Sequence, residues 1–188
     1  MNTDAPSLSH ARGASTPPLR EDTIGAALDT IAALHPDREA LVIPHQNVRW
    51  TWARLRERAD ALAAGLLALG LQPGERIGIW APNCAEWTLT QFATARAGLV
   101  LVNINPAYRS SELAYALAKV GCRALVLAPA LQTSDYLAIL RSVAPEIDAS
   151  TPGALAAPAL PDLRWVIRLG ADRTPGMLNF NDVPTGAT

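Results

Sequence analysis

Residues 76–128 read RIGIWAPNCAEWTLTQFATARAGLVLVNINPAYRSSELAYALAKVGCRALVLA and repeat one pattern. A short apolar run, Arg76–Trp80, breaks at Pro82. A helix-length stretch starts at Asn83 or Cys84 and ends at Gly98. Leu99–Val102 is a second apolar run, followed by a Pro106 loop and a helix expected to be capped by Ser110 and to end at Gly121. Arg123–Ala128 is a third. Strands alternating with helices of this length predict a parallel sheet with right-handed crossovers. Runs this apolar belong to strands covered on both faces. The expected fold is α/β, a mostly parallel sheet with helices on both faces. The loops at Ala81–Trp87 and Val102–Arg109 then fall where a strand ends and a helix begins, the edge at which open parallel sheets bind ligands.

Upstream, Asp22-Thr23 caps a helix with a stripe of Ile24, Ala27, Leu28, Ile31 and Leu34, and His35-Pro36 ends it. Ala40–Ile43 and Val48–Trp52 read as a hairpin around Pro44–Asn47. Thr51 or Trp52 opens a long helix with Leu55, Ala59, Leu62, Leu66 and Leu69 buried, and Gly70 caps its end. Downstream, Thr133 or Ser134 caps a helix to about Val143. Residues 144–161 read as a loop, Leu163–Leu169 as a strand, and 172–188 show no period. Residues 1–20, rich in Pro, Ser and Thr, are expected to be disordered.

With 188 residues there is room for one substantial core. A 49% hydrophobic and 18% charged composition excludes a disordered chain. The net charge of -1 gives no nucleic-acid surface. Two cysteines are too few for a disulfide framework. No apolar run approaches the ~20 residues of a transmembrane helix, and the start lacks a signal-peptide core. These features predict a soluble cytoplasmic protein.

No GxxxxGK[ST] or GxGxxG sequence follows any strand. Lys119, the sole lysine, is not preceded by glycine. His10, His35 and His45 lack ligand-spaced partners, and His35 suits a helix C-terminus. Cys84 is the one candidate nucleophile if a helix N-terminus lowers its pKa; a small buried cysteine is the alternative. Around Asn83, Pro82-Asn83 can end the strand and cap the helix, with Glu86 near the positive helix end and Trp87 beneath. Around Asn105, Pro106 fixes one backbone angle and Asn103 and Asn105 can bond the loop to itself. Tyr108 and Arg109 are then presented just before Ser110. That loop is either a rigid strand-to-helix connection, with Arg109 paired to a carboxylate, or the lining of a cleft or interface. Asn83, Asn105, Tyr108 and Arg109 are the candidate cleft or interface residues.

These segments resemble the N-terminal region of the adenylate-forming acyl-CoA synthetases. The matching stretches are TWARLRERADALAAGLLALGLQPGERIGIWAPNCAEW from Thr51, ARAGLVLVNINPAYRSSELAYALAKVGCRALV from Ala95, TIGAALDTIAALHPDREAL from Thr23 and LPDLRWVIRLG from Leu160. NINPAYRSSEL is the most specific and is most similar to members that activate medium- or long-chain fatty acids. The resemblance spans Asp22 to Val183. It implies residues 1–20 as a leading segment, 21–183 as part of the family's N-terminal domain and 184–188 as a tail.

The resemblance implies a parent ligase that forms an acyl-adenylate from ATP and a fatty acid, with Mg²⁺, and passes the acyl group to CoA. The family's Ser/Thr/Gly-rich loop ending in Pro-Lys-Gly, its adenine motifs and its C-terminal catalytic lysine find no match here. No catalytic, cofactor-binding or metal residue therefore carries over, and the chain alone is expected to be inactive and to hold no cofactor. Its implied partners are the remainder of the parent polypeptide, with fatty acid and CoA in the parent, and a homo-oligomer is possible. A non-catalytic α/β interaction module is the other reading.

Overall fold

A computed structural model describes residues 13, 14 and 16–185. His10 and thirteen of the twenty residues expected to be disordered, 1–12 and 15, lie outside the described residues, as do residues 186–188. The elements in chain order are α1 (Ile24–Leu34), β1 (Glu39–Ile43), β2 (Val48–Thr51), α2 (Trp52–Ala68), β3 (Arg76–Trp80), α3 (Ala85–Ala97), β4 (Val100–Asn103), α4 (Ser110–Val120), β5 (Cys122–Leu127), β6 (Ala130–Leu131), β7 (Ser134–Asp135), α5 (Tyr136–Val143), β8 (Trp165–Arg168) and β9 (Leu178–Asn179). Short 3-10 turns lie at Pro44–Gln46, Pro145–Ala149 and Phe180–Thr185.

Five strands form one sheet in the order β4-β3-β5-β8-β9, every pair parallel. The hairpin β1–β2 and the small β6–β7 pair stand apart as antiparallel ribbons. The chain steps from β3 outward to β4, then back past β3 to β5. With right-handed crossovers this puts α3 on one face and α4 on the other. Helices α1, α2 and α3 pack together as one layer, and α4 packs with α5 in the other. The expected α/β architecture is the one observed.

Burial follows position in the sheet. Every residue of the central strand β5 except Arg123 is buried, whereas the edge strand β4 leaves Val100 48% exposed. The α2 stripe is as expected: Leu55, Ala59, Leu62 and Leu66 are all buried, with Leu69 partly so. Helix α1 is not. It turns Gly25, Leu28 and Ala32 inward and leaves Ile24 54% and Leu34 66% exposed. Arg96 of α3 explains the rotation. Its side chain packs against Gly25, donates to the Gly25 carbonyl and pairs with Asp29 of α1 and Asp60 of α2. A charged anchor with a glycine above it set the helix phase; periodicity weighs only apolar content.

Residues 144–161 form a loop, as read, apart from the turn at Pro145–Ala149, and it is packed down: Ala144, Ile147, Leu155, Ala157 and Leu160 are buried. The tail, which shows no period, contributes the fifth strand, β9. Two residues are too short for a period-2 signal. Gly176, at φ +72, makes this possible: a Cβ there would sit 1.8 Å from the Ile147 carbonyl oxygen.

Candidate functional site

The sheet order reverses direction between β3 and β5, so the crevice outside their carboxyl ends is a topological switch point. A cavity of about 320 Å³ lies there. Its walls come from the ends of three neighbouring strands and from the hairpin turn: Pro82 and Asn83 after β3, Ala128 and Pro129 after β5, Gly170 after β8, and Gln46. Asn83 is exposed at the rim and Cys84 is buried behind it.

Asn83 does not cap α3. Cys84 is the N-cap residue and makes no side-chain capping bond. Gln46 replaces it from the hairpin: the Ala85 N–H donates to Gln46 Oε1 at 2.7 Å, and Gln46 Nε2 donates to Glu86 Oε2 at 2.8 Å. One side chain thus satisfies a free helix N–H and fixes the acidic residue of the first turn, a capping box supplied from outside the helix. Burial pushes the Cys84 thiol up to about 11, with Glu86 adding to the rise. Cys84 is accordingly a neutral thiol at neutral pH, the opposite of an activated nucleophile. Burial likewise pushes Cys122 up to about 12.

The loop after β4 is built differently. Trp80, the last residue of β3, donates from Nε1 to the Asn105 carbonyl at 3.1 Å. Tyr136, the first residue of α5, donates its hydroxyl to the Pro106 carbonyl at 2.7 Å. The two rings are fully buried and stacked, with centroids 3.7 Å apart and planes at 13°. Burial raises the Tyr136 phenol pKa, so the hydroxyl keeps the proton it donates. Inside the loop, Asn105 Oδ1 accepts from the Ala107 N–H at 2.9 Å and the Asn105 carbonyl accepts from Tyr108 N–H at 3.0 Å. Tyr108 is half-buried against the core, while Asn105 and Arg109 are exposed.

Arg109, not Ser110, is the N-cap residue of α4. The Glu112 carboxylate accepts from the Arg109 N–H at 3.1 Å, and these backbone donors hold it below the usual carboxylate range. Ser110 instead meets Ser142 of α5, with hydroxyls 2.9 Å apart. Lys119 is exposed in the last turn of α4.

Of the four candidate residues, Asn83 reaches the crevice, while Asn105, Tyr108 and Arg109 share the clamped loop. The sequence reading missed Gln46, Trp80 and Tyr136. Gln46 had no local signal, since its partners are about forty residues away in sequence. Trp80 and Tyr136 carried one: aromatic residues with polar tips at a strand end and a helix start need partners when buried.

The crevice does not fit a nucleotide phosphate. Its strand-to-helix turn has no glycine, Gln46 already takes the Ala85 N–H, and the Glu86 carboxylate occupies the positive helix end. Among the described residues, no group of three or more His, Cys, Asp or Glu side chains could hold a metal ion. No helix among them is long and apolar enough to cross a membrane.

The profile of the AMP-binding enzymes matches residues 28–176. The chain is 47% identical to the mitochondrial medium-chain acyl-CoA ligase ACSF2 of Mus musculus over 94% of its own length and 28% of the relative's. The human protein is 44% identical over 97% of this chain and 30% of its own length. The anthranilate CoA ligase AuaEII shares the fold, with a TM-score of 0.72 at 22% identity, covering 87% of this chain and 28% of that one. The chain thus spans under a third of the length of these relatives. They also correct the cytoplasmic expectation, since the mouse, bovine and human relatives are mitochondrial. Few cysteines and no apolar span describe redox state and solubility, and neither distinguishes the cytosol from an organelle's interior. The chain belongs to the AMP-binding enzyme family and corresponds to an N-terminal portion of its acyl-CoA ligases.

Proposed function

We propose that this chain is the supporting N-terminal part of a medium-chain fatty-acid–CoA ligase. In the whole protein a fatty acid, ATP and CoA give acyl-CoA, AMP and pyrophosphate by way of an acyl-adenylate. The 47% identity to a medium-chain acyl-CoA ligase over 94% of the chain carries this reading. The carboxyl edge of the sheet supplies a rigid platform, and the reacting groups come from the remainder of the polypeptide. ATP, Mg²⁺ and CoA are assigned to that whole, because the crevice does not suit phosphate and no acidic cluster among the described residues suits a metal. Alone, the chain does not form acyl-adenylate. Fatty-acid-dependent pyrophosphate exchange on the purified 188 residues tests this, and turnover above background overturns it.

The outward stripe of α1 favours a second reading, a non-catalytic interaction module. Ile24 and Leu34 are more than half exposed, and apolar faces of this kind mark association surfaces. Light scattering after size exclusion separates the readings: a monodisperse monomer at high concentration counts against the module.

A further inference from the structure

The helix layer holds a second pocket, of about 290 Å³, whose lining shares no residue with the crevice. Arg54, Glu57, Arg58 and Ala61 of α2 line it, with Leu89 of α3 and Phe180 after β9. Arg58 is unusual there. Its guanidinium lies over the Trp50 ring at 4.6 Å, its Nε is buried without a partner, and it makes no ion pair among the described residues. Arg54, by contrast, is paired with Glu57 at 2.6 Å. The pair cancels, so the pocket carries one positive charge with no ion pair among the described residues, half-buried and seated over a ring.

A guanidinium stripped of water on one side and lacking a carboxylate loses hydration without recovering hydrogen bonds. The Trp50 ring holds one side of the guanidinium, and with no carboxylate paired to it among the described residues its fork suits a planar bidentate acceptor. Leu89, Phe180 and Ala61 add apolar wall, while Glu57 opposes any anion of higher charge. We propose that this pocket binds a monocarboxylate with a short apolar tail, its carboxylate on Arg58 and its tail against Leu89 and Phe180. The assignment does not depend on the ligase reading.

Hexanoate is the probe, titrated into the ¹⁵N-labelled chain with the Arg58 Nε–H and Trp50 indole N–H signals followed by NMR. Saturable shifts centred on α2, Leu89 and Phe180 are expected, with none from phosphate at matched ionic strength. Arg58→Lys keeps the charge but loses the fork, and weakens binding at least about tenfold. Ala61→Phe fills the pocket while leaving Arg58 in place, and removes saturation from a chain whose spectrum shows it folded. Linear shifts with hexanoate, an equal response to phosphate, or binding unchanged in both variants overturns the proposal.

Discussion

The loops after β3 and β4 read alike in sequence, each an asparagine beside a proline at the end of an apolar strand, yet they are held by different means. The β4 loop is clamped from inside by two stacked, buried rings whose polar tips each take one of its carbonyls. The β3 loop borders the crevice and is tied from outside by Gln46. A loop fastened by buried aromatics is a structural corner. A loop fastened by a half-buried amide from another element has a cavity beside it. Asn105, Tyr108 and Arg109 share the clamped loop, with Asn105 and Arg109 exposed on it, whereas Asn83 lies on the wall of the crevice.

The contrast breaks most sharply at Trp80. Trp80→Ala removes a fully buried ring and is expected to cost about 3–5 kcal/mol in chemical denaturation, with amide exchange in residues 104–109 accelerating more than in 81–84. Tyr136→Phe keeps the ring and deletes one hydrogen bond. A loss of about 1–1.5 kcal/mol is expected, with faster exchange at Tyr108 and an unchanged α3 N-terminus. Gln46→Ala should do the reverse. About 1 kcal/mol goes, the Ala85 amide opens, and the β4 loop keeps its protection. Equal loosening of both loops by either variant would show that they are one unit.

Acid should distinguish the loops more weakly. Glu112 has a folded pKa below its unfolded value, so its contribution is present above the unfolded pKa and is lost as pH falls through the folded one. Protection at the Arg109 amide should fall across that acidic window, and Glu112→Gln should abolish the dependence. Asn83→Ala is expected to change stability by less than about 0.5 kcal/mol, since α3 is not capped by that side chain. A larger loss on thermal melting would return Asn83 to a structural role.

The reading of residues 76–128 as strand–helix alternation holds, because periodicity and glycine caps are local. Gly98 and Gly121 both sit in the left-handed region at helix ends, as expected. The caps of α3 and α4 were misassigned by one residue, for different reasons. Arg109 at the N-cap of α4 is served by Glu112, three residues on, a legible spacing that Ser110 obscured. Cys84 is served by Gln46, which no local pattern reaches. The α1 stripe was misread because Arg96 with Asp29 and Asp60 outweighed apolar spacing.

The sequence by itself determined the alternation of strands and helices, the parallel sheet and, through NINPAYRSSEL and its neighbours, the family. These rest on interactions between residues a few positions apart, whose spacing is written along the chain. The tertiary structure alone decided the strand order and its switch point, the fifth strand, the outward face of α1, the Trp80–Tyr136 clamp, the Gln46 tie and the unpaired Arg58. Each depends on groups brought together from distant segments, where packing space, charge pairing and unsatisfied hydrogen bonds choose among arrangements that local spacing leaves equivalent.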